Sequence, residues 1–231
     1  MIDNQSRSDL TKLIEAERLA NELFDEIEKR NIIREGKTES EINHAIFDLA
    51  FELQGIRKFW HKRIVRAGKN TLLPYAENPP DLTLRENEIV FLDFGPVYED
   101  WEADFGRTYV LGNNPKMLQL KADVERLWQE GAQHFISNFE RLTGAEFYSY
   151  TAELAKKNGW TFGNIHCGHL IGNFPHEKLS GEEKRNYLHP DNHEKVSLPD
   201  LSGRTRYWIY EMHLVDYSEE IGAFIEQLIL I

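Results

Sequence analysis

The sequence predicts an α+β domain made of two similar halves, with helices packed outside a curved antiparallel sheet. Three observations carry this. Helical spacing and strand-like apolar runs come in the order helix, helix, strands, and that order occurs twice. Gly112-Asn113-Asn114-Pro115 breaks the chain near its midpoint. No linker separates the halves into independent domains, so residues 1–231 read as a single domain.

In the first half, residues 9–30 place Leu10, Leu13, Ile14, Leu19, Ala20, Leu23, Phe24 and Ile27 at helical spacing. A second helix opens on Thr38 with Glu41 three residues on, the pattern of a capping box, and runs through Leu53 to a stop at Gly55. Ile64 and Val65 suggest a short strand ending at Gly68, and Asn78-Pro79-Pro80 a loop. Residues 89–94 and 105–111 read as strands joined by a loop rich in acidic and aromatic residues. In the second half, residues 117–142 and 146–157 read as helices, followed by strands at 161–165, 206–215 and 223–231. Residues 179–203 are polar, with Pro190 and Pro199, and read as a surface loop. The halves share no evident sequence identity.

Composition narrows the function classes. The formal charge is −12, which repels polyanions and attracts cations, so nucleic acid is not expected as a partner and metal ions are favoured. Cys167 is the single cysteine, which forbids an intrachain disulfide and suits a reducing cytoplasm. The N-terminus has no apolar signal core, and no run reaches the ~18 apolar residues of a membrane span, so no membrane partner is expected.

Five ligand-type residues follow in order: Asp93, Asp104, His169, Glu211 and Glu226, each in a short apolar run that reads as a strand or strand end. Asp93 and Asp104 oppose each other in a hairpin if its turn centres between Tyr98 and Glu99. Glu211 and Glu226 do so if theirs centres between Ser218 and Glu219. Opposed residues have Cβ atoms ~4.5–5.5 Å apart, where like charges destabilise the pair. A buried, unpaired carboxylate is costlier still. A cation between them reverses the sign. Each acid alone has an ordinary explanation, Asp93 as a turn cap or Glu226 as partner of Arg204 or Arg206. Two such hairpins flanking a histidine motif point to metal.

That motif is HCGHLIGNFPHE, residues 166–177, with His169 and His176 seven apart. CGHLIG followed by HE resembles the methionine aminopeptidase, aminopeptidase P and prolidase superfamily. DFGPVYEDWEADFGRT resembles its aspartate motif, and WIYEMHL and GAFIEQLIL resemble its two glutamate motifs. The resemblance covers nearly the whole chain and implies the pita-bread fold of two pseudo-symmetric halves, a single catalytic domain over residues 1–231 without the extra N-terminal domain of the longer prolidases. It implies that two divalent ions are held by Asp93, with Asp104 and Glu226 bridging and His169 and Glu211 completing the other ion's shell. A water between the ions would then attack the scissile amide carbonyl. Glu211 would shuttle the proton to the leaving amine, and His176 would hydrogen-bond the scissile amide or the tetrahedral intermediate. Carboxylates with one imidazole suit manganese, iron, cobalt or zinc.

The chain departs from the family pattern in places. A histidine that contacts substrate usually follows the first short strand, and Tyr75 stands there instead. Tyrosine donates a hydrogen bond but does not readily accept a proton near pH 7. His61, in FWHKRIVRAG, is the histidine that could reach the site from an adjacent position; its ordinary alternative is a strand edge. Met212 follows Glu211, where the family often has proline. His166 and His213 flank ligands, and packing explains them as well as a supporting role does. His189, Asp191 and His193 read as a solvated turn, and Cys167 as a small buried filler. Trp60, Trp101, Tyr75 and Phe174 are candidate pocket walls for an apolar or proline-like side chain. The first expectation is therefore a dinuclear metal-dependent exopeptidase, an aminopeptidase or Xaa-Pro dipeptidase, acting on short peptides. A metal-dependent amidohydrolase acting on a small non-peptide amide, or a silent binding protein on the same fold, are the alternatives. The resemblance is also compatible with a homodimer.

Overall fold

The structure, a computed structural model, describes residues 4–175, 184–200 and 203–231. Helix α1 (Asn4–Lys29) buries Ala16, Ala20, Leu23, Phe24 and Ile27 along one stripe. Helix α2 (Glu39–Gln54) starts on the expected capping box: Glu41 N donates to Thr38 Oγ1 at 3.1 Å and Thr38 N to Glu41 Oε2 at 3.0 Å. It stops at Gly55 in the left-handed region, φ 69°. The strands of the first half are β1 (Ile64–Ala67), β2 (Glu88–Phe94), β3 (Val97–Tyr98), β4 (Trp101–Glu102) and β5 (Phe105–Leu111). Helix α3 (Pro115–Asn138) follows, capped by the Asn114 side chain, with Pro115 in the first turn where no N–H is needed. Helix α4 (Gly144–Lys157) begins on a second capping box, Thr143 with Glu146. Strands β6 (Thr161–Phe162), β7 (Gly168–Ile171), β8 (Tyr207–Asp216) and β9 (Ile221–Leu228) complete the second half. Among the described residues no helix is long and apolar enough to cross a membrane.

All seven main strands pair antiparallel in the order β1-β2-β5-β9-β8-β6, with β7 also on β8, while β3 and β4 form a separate two-stranded arm. The two halves meet where β5 pairs β9. Alternation along each strand divides the sheet into two faces. Val65, Ala67, Val90, Leu92 and Phe94 point to the face covered by α1 and α2. Trp208, Tyr210, Met212 and Leu214 point to the face covered by α3 and α4. Both helix pairs lie on the same side, and the intervening residues, Asp93, Glu211 and Glu226 among them, face the other.

The structure corrects several expectations. The segment between β2 and β5 is an ordered arm whose turn lies at Glu99 and Asp100, with φ 47° and 67°. Positive φ at both central residues is what a two-residue type I′ turn requires. This centre is one residue later than expected, so Asp93 pairs with Gly106 rather than with Asp104. The second hairpin has the expected register, Glu211 opposite Glu226. The third helix is shorter than residues 117–142 at its C-terminal end, and His169 lies in a short strand, β7, in keeping with the apolar run it was read from. Gly168, φ 147°, brings that strand so close to β8 that a Cβ would lie 2.0 Å from the Ile209 carbonyl oxygen. In the polar segment 179–203, Leu188 and Val196 are buried in the second-half core, so its described part is not all surface.

Candidate metal centre

A single row of paired residues crosses the sheet: Ile64, Asp93, Gly106, Glu226 and Glu211, on β1, β2, β5, β9 and β8. Three carboxylates thereby share one line at the seam of the halves. Gly106 sits between them because nothing larger fits. A Cβ there would lie 2.5 Å from Phe224 Cε1 and 3.0 Å from Glu226 Cβ. Asp104 enters from the break between the arm and β5, and His169 from β7 at the far side of β8.

The five expected residues are all buried, Asp93 8% exposed, Asp104 2%, His169 6%, Glu211 4% and Glu226 3%. His169 Nε2 lies 3.0 Å from Asp104 Oδ2 and 3.5 Å from Glu226 Oε1. His61, three residues before β1, is not at a strand edge. Its Nε2 lies 3.0 Å from Asp104 Oδ1 and 3.5 Å from Asp93 Oδ1. Two clusters of donor atoms result, His61–Asp93–Asp104 and Asp104–His169–Glu226, sharing Asp104. Glu211 belongs to neither. Asn164 Nδ2 donates to its Oε2 at 2.9 Å, and His166 Nδ1 stands 3.1 Å from its Oε1 without the alignment of a hydrogen bond.

The electrostatics show what the cluster lacks. Burial pushes the Asp93 carboxyl up to about 7 despite His61, and lifts Glu226 well above the usual carboxylate range. Burial also raises Asp104, but His61 and His169 outweigh it and hold that carboxyl low. Burial opposes charge on the imidazoles, yet the facing carboxylates raise His61 to about 9 and His169 well above its ordinary value. Asp93, Glu226 and both imidazoles thus move toward the protonated state, while Asp104 stays ionised between the two rings. Asp93 Oδ1 is buried without a hydrogen-bond partner. Divalent cations with oxygen and imidazole ligands fit this donor set.

The cluster opens on a cavity of about 580 Å³, a volume suited to a small ligand. Trp60, Tyr75 and Phe174 line it as expected, with Leu73 and Phe91, whereas Trp101 packs into the first-half core. Tyr75 is half exposed; its hydroxyl accepts from Lys62 N at 3.3 Å, and its ring stands 5.7 Å from that of His61. His213 also lines the cavity and bonds Thr71 O at 2.8 Å. Arg66 is the cavity's single arginine or lysine among the described residues. Its Nη2 donates to Glu77 O at 2.7 Å, and its Nε is buried without a partner. Arg204 pairs with Asp200 and Arg206 with Glu194, so neither is free for Glu226. Cys167 is fully buried, and His193 and Asp191 are exposed, as read. His176 lies outside the described residues. Gly106 and Asn164 had no signal in the sequence beyond their nearness to candidate ligands.

A sequence profile of metallopeptidase family M24 matches residues 11–231. The chain belongs to metallopeptidase family M24. It is 31% identical over 147 residues to an Xaa-Pro dipeptidase of Lactobacillus helveticus, covering 63% of this chain and 39% of that protein. It is 26% identical over 150 residues to an Xaa-Pro dipeptidase of Pyrococcus furiosus, covering 63% of this chain and 41% of that protein. The chain thus spans about two fifths of these relatives. Its fold matches a prolidase from Pyrococcus horikoshii OT3 over 100% of this chain and 60% of that one, with TM-score 0.73 and 19% identity. It matches a methionine aminopeptidase from Thermotoga maritima over 100% and 96%, with TM-score 0.70 and 18% identity. The architecture of this M24 chain is the pita-bread fold.

Proposed function

We propose that this M24 protein is a metal-dependent exopeptidase that cleaves short peptides, of the Xaa-Pro dipeptidase or aminopeptidase type. The observation that carries the reading is the row of Asp93, Glu226 and Glu211 across the seam, with Asp104 and His169 closing on it. Asp93, Asp104, His169, Glu211 and Glu226 would hold two divalent ions, with manganese, cobalt, zinc or iron all compatible. When bound, such ions supply Lewis acidity toward a carbonyl and acidify water. Glu211 is the group suited to carry a proton to the leaving amine, because Asn164 fixes one oxygen and leaves the other toward the cavity side at His166. His176 would stabilise the developing oxyanion. Phe174, Tyr75 and Leu73 give the cavity an apolar wall for a proline-like ring, and Arg66 offers a cation to a substrate carboxylate. The M24 Xaa-Pro dipeptidases among the relatives support this substrate class, and the single buried Cys167 suits a reducing cytoplasm.

The test is hydrolysis of Xaa-Pro dipeptides and longer peptides by the Mn²⁺-loaded protein, beside Glu211→Gln. Turnover lost in the variant supports the reading. Peptides left intact by the loaded protein while a small non-peptide amide is cleaved would favour the amidohydrolase alternative, which Tyr75 in place of histidine already favours.

A further inference from the structure

We infer that His61 is itself a metal ligand, so that the centre takes one imidazole from each half of the fold. The inference rests on the metal-centre reading above and adds a residue to it. Four observations converge. The rings of His61 and His169 are held alike: His61 Nδ1 lies 2.7 Å from Lys62 O and His169 Nδ1 lies 2.7 Å from Leu170 O. A carbonyl oxygen only accepts, so each Nδ1 carries the hydrogen and each neutral ring turns its Nε2 lone pair toward the carboxylates. Both Nε2 atoms then stand 3.0 Å from opposite oxygens of the same residue, Asp104. Nε2 among carboxylate oxygens calls for a positive charge, which is either the ring's own proton or a metal ion bound at that nitrogen.

The ring of His61 also sits in a built position. A Cβ on Gly95 would lie 2.3 Å from His61 Cδ2 and 2.3 Å from Trp60 Nε1, so glycine there makes room for both rings. Trp60 Nε1 donates to Ala103 O at 3.0 Å, which locks the indole edge-on between His61, at 4.5 Å, and His169, at 5.4 Å. Asp93 Oδ1, otherwise without a hydrogen-bond partner, completes a three-donor set with His61 and Asp104. The Asp104–His169–Glu226 set is its counterpart across Asp104. Tyr75 supports the loop through Lys62 N, which gives it a positioning part in place of a histidine's chemistry. With one imidazole in each set, the donor balance moves from all-oxygen ligation toward the borderline ions cobalt, zinc and iron.

The alternative is that His61 stays protonated as a fixed ion pair with Asp104, and proton NMR of the Co²⁺-loaded protein separates the two. A cobalt-bound imidazole with its Nδ1 hydrogen on a carbonyl gives one strongly shifted resonance that vanishes in deuterium oxide. The wild type is expected to show two, His61→Gln and His169→Ala one each, and different ones. His61→Gln is also expected to weaken one of two Co²⁺ affinities by more than the roughly 10–100-fold that loss of a ligand's hydrogen-bond partner costs. Should His61→Gln not fold, Gly95→Ala, which crowds the same ring, is expected to shift or broaden that resonance. A single resonance in the fully loaded wild type, abolished only by His169→Ala, would overturn the inference and leave the centre standing. No Co²⁺ uptake by the wild type would overturn both.

Discussion

Gly106→Ala tests how tightly the seam is built. The added Cβ would meet Phe224 Cε1 at 2.5 Å, Phe224 Cδ1 at 2.7 Å and Glu226 Cβ at 3.0 Å, against ordinary contacts of 3.4–4 Å. The Phe224 ring has little freedom to yield, packed against Phe91 at 5.2 Å and His213 at 6.0 Å. The other neighbour is fixed to the β9 backbone, so β9 must move by several tenths of an ångström. Overpacking of this kind costs about 1–3 kcal/mol, which lowers Tm by roughly 2–12 °C for a chain of this length. Because Glu226 moves with its backbone, Mn²⁺ affinity should fall about tenfold, in proportion to the ~10²-fold effects of ~1 Å misplacements in catalytic sites. Calorimetric Mn²⁺ titration and thermal melts of the same preparations measure both. Gly144→Ala is the control: its Cβ would meet Asn192 Nδ2 at 2.6 Å, outside the site, so it should lose stability and keep its affinity. Equal Mn²⁺ affinity in Gly106→Ala and wild type would refute the claim that this glycine sets the ligand spacing.

Two further outcomes follow from single residues. Glu17 is half-buried, with its Oε2 enclosed and unpartnered, and desolvation pushes its carboxyl up to about 8. Below pH 4.5 it is neutral in both states; as pH rises to 8 only the unfolded chain gains by ionising, so stability is lost across that window. Glu17→Gln should therefore leave stability unchanged near pH 4 and raise it, with Tm, at pH 8–9 by a few kcal/mol, and a gain independent of pH would contradict this. Arg66→Met should raise KM for Xaa-Pro dipeptides roughly 10–100-fold, the weight of a charge-assisted hydrogen bond, and leave dipeptide amides unaffected. Equal effects on both substrates would remove Arg66 from carboxylate recognition.

Much of the fold was legible because its signals are local. The Thr38–Glu41 capping box and the Gly55 stop announce a helix through three- or four-residue patterns, and the repeat of element order shows the two halves. The Glu211–Glu226 register was readable because one turn joins continuous strands. The Asp93–Asp104 register was not, because a separate arm interrupts the hairpin and turns at Glu99-Asp100, residues with no glycine to mark the turn. The short apolar run around His169 marked a strand, but its pairing with β8 across Gly168 has no local signal, since β7 has only four residues. The five acid and histidine residues that the structure brings together could be named from motif order. The place of His61 could not, since it depends on β1 pairing with β2 and on the space at Gly95, neither of which sequence spacing encodes.

The central claim is that the buried carboxylates exist to hold divalent metal. The most direct measurement is metal content and calorimetric Mn²⁺ binding of stripped protein, with Asp104→Ala beside it. The account predicts about two ions per chain, a stability that rises with free Mn²⁺ by about 2.7 kcal/mol per site at a hundredfold excess over Kd and shows as a higher Tm, and loss of both effects in the variant. No binding to the wild type, or binding that Asp104→Ala leaves intact, would contradict it.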